Sequence, residues 1–94
     1  MNWAHFEEAD LQGAHMEGAR LKNAYLRGAN LQGANLQGAH LANADLFQAN
    51  LADADLRHAD LGTATHVMQR QIETARGDRE TMLPTGIDMP ESWK

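Results

Sequence analysis

Large apolar side chains recur every fifth residue through the first two-thirds of the chain: Phe6, Leu11, Met16, Leu21, Leu26, Leu31, Leu36, Leu41, Leu46, Leu51, Leu56 and Leu61. Alanine stands two places before each of them, from Ala4 and Ala9 to Ala54 and Ala59, and Ala64 keeps the register until His66 takes the next apolar place. In the stretch ANLQGANLQGAHLANADLFQANLADADL, Asp or Asn fills most of the places between alanine and leucine, and glycine or a polar residue fills the second of the two places after. A period of five fits neither regular element. At 100° per residue, five steps rotate a helical side chain by a net of about 140°, so the leucines would spread around the whole circumference instead of forming one stripe. A straight strand has a side-chain period of two, and an odd repeat sends successive leucines to opposite faces. The chain must therefore turn once per repeat. Alanine and leucine, two apart, share one side of a short extended segment, and the next two residues make the corner. Gly13, Gly18, Gly28, Gly33 and Gly38, with Asn23, Asn43 and Asp53, hold the second corner place, and these residue types tolerate tight turns.

This register over residues 4–65 resembles the pentapeptide-repeat proteins, a family whose fold is a right-handed quadrilateral β-helix with four repeats in each coil. The resemblance implies an all-β solenoid of about three coils over residues 1–65 and a short C-terminal α-helical and irregular cap over 66–94. Residues twenty apart would stack at about 4.8 Å, the spacing between neighbouring strands. Four inward stacks follow: Phe6, Leu26 and Leu46; Leu11, Leu31 and Leu51; Met16, Leu36 and Leu56; and Leu21, Leu41 and Leu61. Each fully buried large apolar side chain contributes roughly 1.5 to 3 kcal/mol, opposed by an ordering entropy of similar size.

Residues 66–94 lose the period. THVMQRQIETARG offers Thr65 as a helix N-cap, Met68, Ile72 and Ala75 on one helical face and Gly77 as the stop. Beyond it, Leu83, Ile87 and Trp93 are too apolar for a free tail. The segment also resembles a terminal motif that follows such repeats in bacterial proteins, matched by Ala75, Gly77, Asp78, Thr81, Leu83, Pro84, Ile87, Pro90 and Trp93. Relatives often carry a cysteine beside that alanine, where this chain has Arg76. Because an open solenoid end exposes core and strand edge, Met68, Ile72, Leu83, Ile87 and Trp93 are expected to cap the last coil.

Composition narrows the function. The 94 residues include no cysteine, which excludes disulfides and thiolate metal sites and agrees with a reducing compartment. The opening residues carry neither a basic leader nor a signal-length apolar run, and no stretch approaches the roughly 20 apolar residues of a membrane span, so a cytoplasmic protein without membrane contact is expected. A net charge of -5 argues against direct nucleic-acid binding, which needs clustered Lys and Arg on the phosphates.

Candidate chemistry is sparse. Stacking would align His15, Asn35 and Asp55 on one side and Arg20, His40 and Asp60 on another, a place where acid–base catalysis could begin. Such columns lie on flat, wet faces, the only serine is Ser92, and no histidine pair has metal-ligand spacing on one element. The expectation is no catalytic site, no metal and no cofactor. Tyr25, Arg27 and Phe47 should face outward on the same side of neighbouring coils, and this composition favours a binding hot spot. The expected function is a non-catalytic protein–protein interaction or assembly module with an unknown protein partner. The quinolone-resistance members of the family imply an alternative, a DNA-mimicking inhibitor of a type II topoisomerase such as DNA gyrase. Mimicry needs sustained negative faces, whereas residues 1–65 hold eight acidic and four basic side chains. Finally, the repeat begins at once, so the first coil would leave Trp3, Phe6, Leu11 and Met16 at an open end. A homodimer through that end is expected, with Glu7, Glu8, Asp10 and Glu17 crowding the seam unless Arg20 and Lys22 offset them.

Overall fold

The computed structural model describes residues 3–94. Its repeating unit is a single-residue parallel bridge at every fifth position, always to the residue twenty places on: His5 to Tyr25 to Asp45 to Thr65 on the first side, Asp10 to Asn30 to Asn50 on the second, His15 to Asn35 to Asp55 on the third, and Arg20 to His40 to Asp60 on the fourth. Each bridge uses two backbone hydrogen bonds. Tyr25 donates its N–H to the Ala4 carbonyl at 2.8 Å and accepts from the Phe6 N–H at 2.8 Å. No longer strand forms, because five residues minus a two-residue corner leave one residue per side with both backbone groups in the ladder.

The corners close with a hydrogen bond from the alanine N–H to the preceding central carbonyl, as from Ala34 to Leu31 at 3.0 Å. The residue just before that alanine takes the left-handed conformation, φ +68° at Gly33 and +60° at Asn43, as position three of a type II turn requires. Glu8, Gln48 and His58 are forced into the same region at φ 58°, 57° and 62°. The corner after Leu61 differs: Thr63 does not adopt a positive φ, as its branched Cβ resists. There the Asn43 N–H bonds the Thr63 hydroxyl at 3.1 Å, where the equivalent Asn23 N–H bonds a backbone carbonyl, that of Ala42.

The Asp or Asn before the central leucine has its own task. Its side-chain oxygen accepts the N–H two residues on: Asn30 from Gln32 at 3.1 Å, Asn35 from Gln37 at 3.1 Å, Asn50 from Ala52 at 3.0 Å, Asp60 from Gly62 at 3.0 Å. That N–H lies inside the corner, where the ladder does not reach it, and an Asx turn satisfies it. Inside, the leucines from Leu21 to Leu61 and the alanines from Ala24 to Ala59 are buried, whereas Phe6, Leu11, Met16 and Ala19 are only partly covered.

The last part of the chain joins the ladder instead of lying loosely upon it. Thr65 is a rung, donating to the Ala44 carbonyl at 2.8 Å and accepting from Leu46 at 3.1 Å, so it is not the expected helix N-cap. Helix α1 spans Gln69–Thr74 with Met68 at its N-cap and Ala75 at its C-cap. It is shorter than the sequence suggests because Arg76 and Met82 bridge Asp55 and Asp60, extending the third and fourth sides by one rung. On the second side the helix takes the rung's place: its Thr74 carbonyl accepts the Asp53 N–H at 2.8 Å, Ile72 is buried, and Gln71 Nε2 donates to the carbonyls of Leu46 and Ala49 at 2.9 and 3.0 Å. Trp93, in the short 3-10 turn Glu91–Trp93, is buried, and Leu83 and Ile87 are partly so. Met68 is not: it stands 52% exposed, because an N-cap residue at the start of so short a helix points away from the face that Ile72 buries.

Candidate interaction surface

The repeat places three of the singled-out residues on the first side, and two of them touch. Arg27 holds its guanidinium carbon 4.7 Å from the centroid of the Phe47 ring. Cation–π contact of this kind keeps a long basic side chain ordered at a surface. Asp45 fixes both members: its Oδ2 accepts from Arg27 Nε at 3.0 Å and its Oδ1 from the Phe47 N–H at 3.1 Å. Nδ1 of His66 lies 3.2 Å from the same Oδ1, and the His66 ring meets Phe47 edge-on with centroids 5.7 Å apart. Phe47 itself remains 40% exposed. Beside it, Glu7, Glu8, Gly28 and Gln48 complete a shallow depression of about 280 Å³.

Tyr25 is on the same side but in another cluster. Its ring stacks on His5, with centroids 4.7 Å apart and planes at 14°, and Trp3 approaches with centroids 6.5 Å apart. His5, Asp45 and His66 were not recognised from sequence as part of this surface. For His5 and Asp45 the signal was the column itself, since positions 5, 25 and 45 share one register. His66 had only its place as the first residue to break the repeat.

The His–Asn–Asp and Arg–His–Asp columns form as bridged columns, but their side chains do not converge on a reaction. Asp55 gives its carboxylate to Arg57, with Nη2 2.7 Å from Oδ2, and this hydrogen bond holds the Asp55 carboxyl below its usual range although partial burial opposes it. His15 lies 4.0 Å from Glu17 on its own rung. Among the described residues, no group of three or more His, Asp or Glu side chains is placed to hold a metal ion. In a depression of about 510 Å³ beside α1 and Pro90, Lys94 pairs with Glu91 at 2.6 Å and Gln69 Nε2 donates to Glu73 at 3.3 Å. No described helix is long and apolar enough to cross a membrane.

Comparison with known proteins gives one family. The model of pentapeptide repeats matches residues 1–38 and 24–62, in eight copies. Among solved structures, a pentapeptide repeat protein from Nostoc Pcc 7120 is 37% identical, with 93% of this chain and 75% of that one covered and a TM-score of 0.33. A pentapeptide repeat protein from the Arabidopsis thaliana thylakoid lumen is 23% identical, with 95% and 70% covered and a TM-score of 0.40. HetL, a pentapeptide repeat protein involved in heterocyst differentiation regulation from the cyanobacterium Nostoc sp. strain PCC 7120, is 27% identical, with a TM-score of 0.41; 97% of this chain matches about half of it, 49%. Among curated proteins there is no match.

Proposed function

We propose that this chain, which belongs to the pentapeptide-repeat family, works without catalysis as a protein–protein interaction or assembly module. The fold of the family is a right-handed β-helix solenoid, and such a solenoid offers flat, regular sides on which ordered outward side chains make a binding surface. The observation that carries the reading is the Arg27–Phe47 contact fixed by Asp45. An exposed aromatic and an arginine already locked in place lose little side-chain entropy on binding, and these residue types dominate interface hot spots. The experiment is quantitative affinity capture from the native host: a specific protein held by the chain, lost with Phe47→Ala and Arg27→Ala and retained with Gln32→Ala on the second side, supports it. Equal capture by all four would remove the first side as the surface.

In this reading, residues 1–65 form about three quadrilateral coils and residues 66–94 act as their cap. The burial of Ile72 and Trp93 and the bonds from Asp53, Leu56 and Leu61 to the carbonyls of Thr74, Arg76 and Met82 support that role. Deleting residues 66–94 should uncover the Leu46 to Leu61 rungs and their backbone edge and cause aggregation; a truncated chain that stayed dispersed with an unchanged thermal midpoint would contradict it. Inhibition of DNA gyrase by mimicry has less support, because Arg27 and Arg57 neutralise Asp45 and Asp55 within the sides that would have to be acidic. A supercoiling assay tests it directly.

A further inference from the structure

We propose that two copies of this chain pair side by side through their fourth sides, antiparallel, about a two-fold axis that crosses the face at the His40 rung, at right angles to the solenoid. The proposal is independent of the first-side surface and rests on how charge is laid out along this one face.

The fourth side carries two outward columns. Arg20, His40, Asp60 and Met82 stand one below another as bridged residues, and Lys22, Ala42 and Gly62 follow two places on in the same rungs. Charge is separated from top to bottom, with Arg20 and Lys22 in the first rung and Asp60 in the third. Elsewhere on the solenoid the arginines are committed within the copy, Arg27 to Asp45 and Arg57 to Asp55. Arg20, Lys22 and Asp60 have no ion-pair partner among the described residues. Asp60 uses Oδ1 to accept the Gly62 N–H at 3.0 Å, which leaves Oδ2 to accept from another donor.

A two-fold axis across the His40 rung exchanges the first rung of one copy with the third of the other and keeps each column over itself. Arg20 then faces Asp60 of the second copy, and Asp60 faces its Arg20, so two ion pairs form where neither copy alone has one. Sheets packed face to face lie about 10 Å apart, a gap that an arginine and an aspartate span together. Lys22 would collide with a side chain of its own length, but it comes over Gly62 of the second copy, and Ala42 meets Ala42 at the axis. His40 meets His40, where the N–H of one neutral imidazole can donate to the bare ring nitrogen of the other. Met82, 56% exposed at the foot of the column, comes one rung beyond Arg20 of the second copy, against the aliphatic stem of that arginine.

The other sides fail the same operation. On the first, Arg27 would meet Arg27 at the axis. On the second, Gln32 meets Gln32 and no cation faces an acid. On the third, Glu17 comes over Arg57, but Arg57 already holds Asp55, and the column of Glu17, Gln37 and Arg57 has no small residue to receive a long one. The fourth side is only four rungs tall, so the seam is at the small end of protein interfaces and the pairing is reversible.

The test is sedentation equilibrium of the full-length chain across a concentration series, where the mean mass is expected to rise from one chain toward two; a constant mass of one chain overturns the proposal. Because the ion pair occurs twice in the seam, Arg20→Glu should weaken association about tenfold, while Arg70→Glu, the same charge change on the exposed face of α1, should leave it nearly unchanged. Asp60→Asn keeps the side-chain oxygen for the Gly62 N–H, as Asn30 and Asn35 do for their own turns, and in that background Arg20→Glu should cost only a fraction of its former effect. Equal weakening in both backgrounds would show that Arg20 and Asp60 do not meet. The register is read by Ala42→Cys in a chain that has no cysteine of its own: a short bifunctional thiol reagent should join two copies through position 42 and not through Gln32→Cys on the second side. A dimer that withstands Arg20→Glu and is not joined through position 42 is assembled by another surface, and the proposal falls.

Discussion

The indole of Trp93 packs so closely on Gly77 that a Cβ at position 77 would lie 2.6 Å from the ring atoms Cδ2 and Cζ3. Gly77 has no positive φ, so it is space, and not backbone conformation, that demands glycine there. The expected outcome for Gly77→Ala is displacement of the indole and a loss of about 1 to 3 kcal/mol, the usual cost of overpacking. Denaturant unfolding gives the loss. In a Trp3→Phe background the remaining tryptophan emission should shift to the red, and an unshifted spectrum with unchanged stability would contradict the contact.

How much could be read beforehand divides along physical lines. A five-residue period with one apolar residue, one alanine and one small corner residue requires one turn per repeat, and the resemblance to the pentapeptide-repeat family supplies four repeats per coil, so the corners and the columns of twenty were legible down to named residues. The tail was legible only in part. Gly77 reads as a helix stop, yet it is the floor under Trp93. Asp78, within the terminal motif, ties the tail to a corner by accepting the N–H groups of His58 and Glu80 at 3.3 and 3.0 Å, while the buried Thr81 hydroxyl donates to the Leu56 carbonyl at 2.9 Å. The contacts to His58 and Leu56 reach back 20 and 25 residues, from a segment that has no period of its own to announce them. Asp45 was hidden for the opposite reason. It occupies the commonest Asx position of the repeat, and only its neighbours Arg27 and His66 distinguish it from the others.

The bore should respond sharply to position. Leu36 is fully buried with Met16 and Leu56 on either side of it in its stack, so Leu36→Ala should cost about 2 to 5 kcal/mol. Gln32→Ala, at an exposed place after a central leucine, should cost under about 0.5 kcal/mol. Chemical denaturation of both variants separates inward from outward; equal losses would refute the register.

The corners offer a test with two opposite signs. Gln48 sits at φ 57°, a conformation that costs a non-glycine residue roughly 1 to 2 kcal/mol. Gln48→Gly relieves that strain and loses part of it to the entropy of a freer unfolded chain, so a net gain of a few tenths to about 1 kcal/mol is expected. Gly33 sits at φ +68° with open space around its missing Cβ, so Gly33→Gln meets no clash and should lose a comparable amount through the backbone alone. Thermal midpoints moving in the same direction for both variants would show that the left-handed corner is not what decides them.

The last expectation concerns acid. The hydrogen bonds from Arg57 to Asp55, at 2.7 to 3.2 Å, hold the Asp55 carboxyl below its usual value, the side-chain contact being the main cause and partial burial the main opposition. A carboxyl whose folded-state pKa is depressed binds its proton more readily in the unfolded chain, so its contribution to stability is complete above the unfolded value and is lost as pH falls through the folded one. The loss therefore begins near the ordinary aspartate value of 3.8 and continues below it, leaving neutral pH untouched. Arg57→Ala removes the cause: its stability should fall only modestly at neutral pH, as expected for so exposed a partner, and the difference from the unchanged protein should shrink as pH drops through the acid limb. Asp55→Asn should keep the Asx turn, since an amide oxygen can still accept the Arg57 N–H, and should give the same flattening. Unfolding curves at a series of pH values below 5 decide it; a gap that stayed constant or widened toward low pH would show that Arg57 acts through packing and not through the charge of Asp55.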